Sequence, residues 1–90
     1  MHDPQSLVGR PVTFWRTGTY HGYFAGIVRA VRTGKGGTIK ALRVQRPGNA
    51  PEAKGYSARC KGPTLTVAPR EVRFVMWRGR ALSLDTFLEN

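Results

Sequence analysis

The sequence predicts a small all-β domain. Three observations carry that reading. Its apolar residues come in short β-branched runs that alternate with polar ones, as in PVTFWR (11–16). Each run is bounded by Gly or Pro, and the chain holds 11 glycines and 6 prolines. Ninety residues accommodate one core and no second domain, so a single domain over 1–90 is expected.

Taken in order, PVTFWR is the first strand, with Val12 and Phe14 on one face and Thr13 and Trp15 on the other. The segment TGTYHGYFAGIV (17–28) spaces Gly18, Gly22 and Gly26 by four, with Tyr20, His21 and Tyr23 expected in a loop and Phe24, like Phe14, in the core. GIVRAVR (26–32) is the second strand, with a bulge expected at Gly26. TGKGG (33–37) is a turn, and TIKALRVQR (38–46) the third strand, with Leu42 and Val44 inward and Arg43 outward. Residues 47–62, PGNAPEAKGYSARCKG, lack periodicity and read as a long loop. PTLTV (63–67) is a fourth strand with Leu65 and Val67 inward. Ala68–Glu71 is a tight turn, because Pro69 fixes its own φ and lacks a donor. VRFVMWR (72–78) is the fifth strand, with Val72, Phe74 and Met76 inward. Ser83 reads as the N-cap of a short C-terminal helix within 82–90, with Asp85 in its first turn. Five short strands with a one-turn break before the last predict a strongly bent barrel over about residues 8–78. A sandwich or an OB-like barrel are the competing architectures.

Charge bounds the function. The chain has 15 Lys and Arg against 5 acids, a net +10. Between residues 4 and 84 the only acids are Glu52 and Glu71, which leaves that body at +13. A small domain this basic repels itself unless it meets a polyanion, and nucleic acid is the usual one. Eleven of the bases are Arg, whose planar fork suits phosphate and base edges better than Lys does. An acidic protein or a ribonucleoprotein is the other expected partner. A solvated basic face without a partner is the plain alternative.

Arg29, Arg43 and Arg73 fall mid-strand on outward positions and are expected to form a stripe. Arg16, Arg32, Lys35 and Arg46 lie near strand ends, Arg59 and Lys61 in the long loop, and Arg78 after the fifth strand. Trp15 and Trp77 fall opposite the core positions, and Tyr20 and Tyr23 lie in the glycine loop. Exposed rings among arginines are what base stacking requires. The alternative role of the tryptophans is to cover the barrel ends. These fourteen residues form the expected binding set.

Val12, Phe14, Gly18, Gly22, Gly26 and Val28 resemble the outline of the KOW motif, over about residues 10–31. VAPREVRFV (67–75) looks like the end of an SH3-like barrel. The resemblance implies a five-stranded SH3-like barrel with a KOW-like first hairpin. It also implies binding to RNA, ribosomal components or transcription machinery, so RNA stands ahead of DNA. In Tudor-like relatives of that fold an aromatic cage reads methylated side chains, and Trp15, Tyr20 and Tyr23 are the rings available here.

Other chemistries find no support. RTGKGGT (32–38) departs from the phosphate-loop pattern, because its Lys precedes the glycine pair and no helix follows. His2, His21 and Cys60 lack metal-ligand spacing, and no carboxylate pair exists in the body, so neither a metal, a cofactor nor an enzymatic activity is expected. The single cysteine excludes an internal disulfide. With no apolar leader or membrane-length run, a cytoplasmic protein is expected. Leu82, Leu84, Phe87 and Leu88 form an apolar C-terminal set, expected either to cover a barrel end or to dock a protein partner.

Overall fold

The computed structural model describes residues 3–16, 22–48 and 62–89. A 3₁₀ turn, Pro4–Leu7, leads into β1 (Pro11–Arg16), β2 (Gly22–Thr33), a second 3₁₀ turn (Lys35–Gly37) and β3 (Ile39–Gln45). Next come β4 (Thr64–Val67), a third 3₁₀ turn (Pro69–Glu71), β5 (Val72–Trp77), β6 (Arg80–Leu82) and a closing helix α1 (Leu84–Glu89). All pairings are antiparallel, and the strands form one sheet in the order β4-β3-β2-β1-β5-β6.

Topology forces that sheet to curl. β4 and β5 are four places apart in the sheet, about 19 Å if it were flat. Residues 68–71 must bridge them, and three of these form a 3₁₀ turn, which rises only about 2 Å per residue. The sheet therefore wraps until its concave sides face each other. Arg16 Nη1 on β1 donates across the concavity to the Thr66 carbonyl on β4, at 3.2 Å. The Glu71 carboxylate accepts from the Ala68 amide at 2.8 Å and holds the bridging turn.

The concave side holds one core: Leu7, Val12, Phe14, Val28, Val31, Leu42, Val44, Val67, Val72, Val75, Leu84 and Phe87. This core runs past the expected 8–78 at both ends. Asp3 caps the first 3₁₀ turn by accepting from the Gln5 amide, which plants Leu7 in the core. Ser83 caps α1 as expected, its Oγ accepting from the Thr86 amide, so Leu84 and Phe87 turn inward.

Four expectations need correction. Among the described residues there are six strands rather than five, and the sheet runs open from β4 to β6 instead of closing into a barrel. The sixth strand exists because Arg78 and Gly79 both adopt positive φ, 51° and 76°, the two-residue turn that suits the twist of a hairpin. Tyr23 lies on β2, not in a loop, because the ladder with β1 extends to Arg16↔Gly22, while Phe24 packs against the core as expected. The bulge expected at Gly26 falls instead at Arg29: Val28 pairs with Val44 and Ala30 with Arg43, leaving Arg29 as the extra residue. Gly26 has a different reason. A Cβ there would stand 2.5 Å from Val44 Cγ1 and 2.7 Å from the Gln45 carbonyl oxygen, so only glycine lets β3 approach.

The last correction concerns β5. Thr13 pairs with Phe74 and Phe14 with Val72, so Arg73 is an extra residue that resets the alternation. Val72 and Val75 face the core, while Phe74 and Met76 face solvent. Trp77, expected outward, lands on the core side.

Candidate nucleic-acid interface

The convex face of β5, β1 and β2 carries an exposed apolar patch. Trp15 and Tyr23 are directly opposed across β1 and β2, ring centroids 4.9 Å apart and edge to face. Tyr23 is 66% exposed and Phe74, beside Thr13 on β5, is 47% exposed. Ile27 and Met76 continue the patch on the outward positions of β2 and β5. Among the described residues, four of the five exposed large hydrophobics therefore share one face, with Val8 the fifth.

Basic residues lie along the patch. Arg73 stands on its β5 side, level with Phe14. Arg29 lies beyond the Pro11↔Ile27 pair at one end, its Nε donating to Gln45 Oε1 at 2.8 Å. Arg43 sits beside it, between Ala30 and Thr66. Arg29, Arg43 and Arg73 are thus all exposed, as expected, but do not form one stripe; Phe74 and Ile27 lie between Arg73 and Arg29, and Trp15 and Tyr23 lie beyond Arg73. Arg32 and Lys35 are exposed farther out, where β2 and β3 project as a two-stranded hairpin past the end of β1. Lys40 is the bulge residue there, paired to nothing between Arg32↔Ala41 and Thr33↔Ile39. Every bulge in this sheet therefore inserts a basic residue: Arg29, Lys40 and Arg73. Glu71, the described acid nearest mid-sequence, is committed to its turn.

Other members of the expected set play different parts. Arg46 is buried, 7% exposed, with Nη1 donating to the Ala25 carbonyl and its guanidinium 4.9 Å from the Phe24 ring. Arg16 is half-buried and faces the concavity. Trp77 packs edge to face on Phe87 at 5.6 Å, with the guanidinium carbons of Arg10 and Arg78 at 4.0 and 5.0 Å from its ring. It covers the open end of the curled sheet, the alternative role the sequence left for it. Tyr20, Arg59 and Lys61 lie outside the described residues, as do His2, His21, Glu52 and Cys60. A methyl-cation cage would need Tyr20, so only its Trp15 and Tyr23 walls are placed.

Phe74, Met76 and Ile27 complete the face and were not among the expected residues. Only the basic residue interrupting VRFVM hinted at the bulge that turns Phe74 outward. Conversely, Leu84 and Phe87, the expected docking pair for a protein partner, are 9% and 0% exposed and offer no such surface. An open hollow of about 300 Å³ lies between the third 3₁₀ turn and α1, with Arg70 and Asp85 as its charged residues. Among the described residues no three His, Cys, Asp or Glu side chains group to hold a metal, and no helix is long and apolar enough to cross a membrane.

Comparison with known proteins finds no matching family model, no matching curated protein and no matching solved structure.

Proposed function

We propose that the protein is a non-enzymatic nucleic-acid-binding module that works through the convex face of β5, β1 and β2. The observation that carries this reading is the juxtaposition of exposed Tyr23 and Phe74 with Arg73, which lies between their levels on the sheet, and with Arg29 and Arg43 at one end of the same face. Solvent-exposed rings in a chain of net charge +10 suit a ligand that is both anionic and aromatic. Attraction comes from counterions released as the arginines meet phosphates; stacking on the rings adds a salt-independent term. RNA is placed ahead of DNA because of the KOW-like outline.

The finer fold assignment belongs to the same proposal. We read the curled meander, with its single 3₁₀ turn between β4 and β5, as an SH3-like half-open barrel carrying an extra hairpin strand. A cytoplasmic location, suggested by the lone cysteine, completes the reading.

The test is fluorescence anisotropy with labelled oligonucleotides across a salt series, comparing the natural chain with an Arg43→Ala/Arg73→Ala pair. Binding that weakens linearly in log salt, with a slope about 1.4 units shallower in the pair on a single strand, supports the proposal. Weak, salt-insensitive binding of every oligonucleotide overturns it.

A further inference from the structure

We infer that the ligand of the convex face is a single strand with its bases splayed, rather than a duplex. The inference rests on the nucleic-acid reading above and goes one step further, from polymer to strandedness.

Geometry supplies the argument. Tyr23 is on β2 and Phe74 on β5, with β1 between them. Two strand spacings across and two residues along put their Cα atoms about 12 Å apart. In a duplex the phosphates of each strand follow one another every 3.4 Å along the axis, and the bases face inward, paired and stacked. A ring on a broad sheet face has no access to such bases. A single strand can turn its bases outward, one onto Tyr23 with its Trp15 neighbour and another onto Phe74. The face is wide and shallow, so it fits a laid-down strand better than a groove.

The charges fit the same ligand. Arg73 flanks Phe74 in sequence, and Arg29 and Arg43 lie beyond Ile27. A backbone laid along the patch would meet the Trp15–Tyr23 pair, then Arg73 and Phe74, and then Arg29 and Arg43 beyond Ile27, so rings and cations alternate along its path. The helix is not built for a groove: α1 buries Leu84 and Phe87 and exposes Asp85 and Glu89, acids that repel phosphate. The competing duplex element is the projecting β2–β3 hairpin with Arg32, Lys35 and Lys40, a two-stranded ribbon of the kind a major groove admits.

Binding of 12-nucleotide single-stranded RNA and DNA, and of the matching duplexes, separates these. The variants are Tyr23→Thr, Phe74→Thr and a Lys35→Ala/Lys40→Ala pair; threonine preserves strand propensity at exposed sites. Phe74→Tyr serves as the ring-retaining control. The inference expects single strands to bind more tightly than duplexes. It expects roughly tenfold losses for Tyr23→Thr and Phe74→Thr with unchanged salt slope, and retention in Phe74→Tyr. The RNA and DNA arms then report which sugar is preferred. Duplex binding at least as tight as single-strand binding, lost in the Lys35/Lys40 pair but not in the ring variants, overturns the inference while leaving nucleic-acid binding intact. Absence of salt-dependent binding to any of the four polymers removes the underlying reading as well.

Discussion

Arg29 and Arg73 occupy equivalent places in two separate bulges. Each is the unpaired extra residue of its strand, each follows a buried valine (Val28, Val72), and each precedes an exposed residue (Ala30, Phe74). A bulge puts two successive side chains on the solvent side, so both sites present an arginine without sacrificing the core positions that follow, Val31 and Val75.

The bulge, not its side chain, matters for folding. Arg73→Ala is expected to change stability by less than about 0.5 kcal/mol, as for exposed positions generally. Inserting an alanine between Phe74 and Val75 undoes the phase that the bulge sets and puts Val75 on the face opposite Val72, so it is expected to cost several times more. Thermal unfolding followed by circular dichroism compares the two; equal melting temperatures would show that β5 does not depend on the bulge.

Among the described residues Arg46 is the basic residue that is buried. Arg46→Ala leaves the Ala25 carbonyl without its donor and strips the guanidinium from Phe24, an expected loss of about 1–3 kcal/mol. The salt slope of nucleic-acid binding, measured where the variant is folded, is expected to stay unchanged. A shallower slope with unaltered stability would place Arg46 at the interface instead.

Gly26→Ala forces a methyl group against Val44 Cγ1 and the Gln45 carbonyl. The β2–β3 ladder must shift to admit it, at an expected cost of about 1–3 kcal/mol. Urea unfolding measures this, with exposed Ala30→Ser on the same strand as the control; a Gly26 variant as stable as the control would disprove the close approach.

Arg78 holds a backbone conformation that costs a non-glycine residue roughly 1–2 kcal/mol. Its stacking on Trp77 returns about 0.5 kcal/mol at an exposed site. Arg78→Asn, which makes the turn Asn-Gly, is therefore expected to raise stability by a few tenths to about 1 kcal/mol. A fall in melting temperature would mean that the Trp77 contact outweighs the strain.

Phe87 is fully buried and seals α1 onto Trp77. Phe87→Ala is expected to cost about 3–5 kcal/mol, a large part of the stability of a domain this size. Trp77 loses its cover, so tryptophan emission should shift to longer wavelength below the unfolding transition. Unshifted emission would place Trp77 elsewhere than at that contact.

Much of this molecule was legible from local pattern. The first strand matches its expected bounds, 11–16, and three more lie within one residue of theirs at each end. The Ser83 cap, the turn at 33–37 and the turn at 68–71 follow from the chemistry of single residues. Gly22, the first residue of β2, has a positive φ of 125°, a conformation glycine adopts freely. The proposed binding face was only half legible. Arg29, Arg43, Arg73, Trp15 and Tyr23 were expected on it; Phe74, Met76 and Ile27 were not.

The division has one physical reason. Charge, strand propensity and capping are properties of a residue and its near neighbours, so composition and spacing by themselves determined a basic, all-β chain with a short closing helix. Which side of the sheet a side chain takes is settled by pairing with a partner strand far away in sequence. One unpaired residue, Arg73, reverses the alternation that follows it and moves Phe74 and Met76 into solvent and Trp77 toward the core. The curl imposed by the short bridge from β4 to β5 then decided which arginines meet water and which, like Arg46, are enclosed.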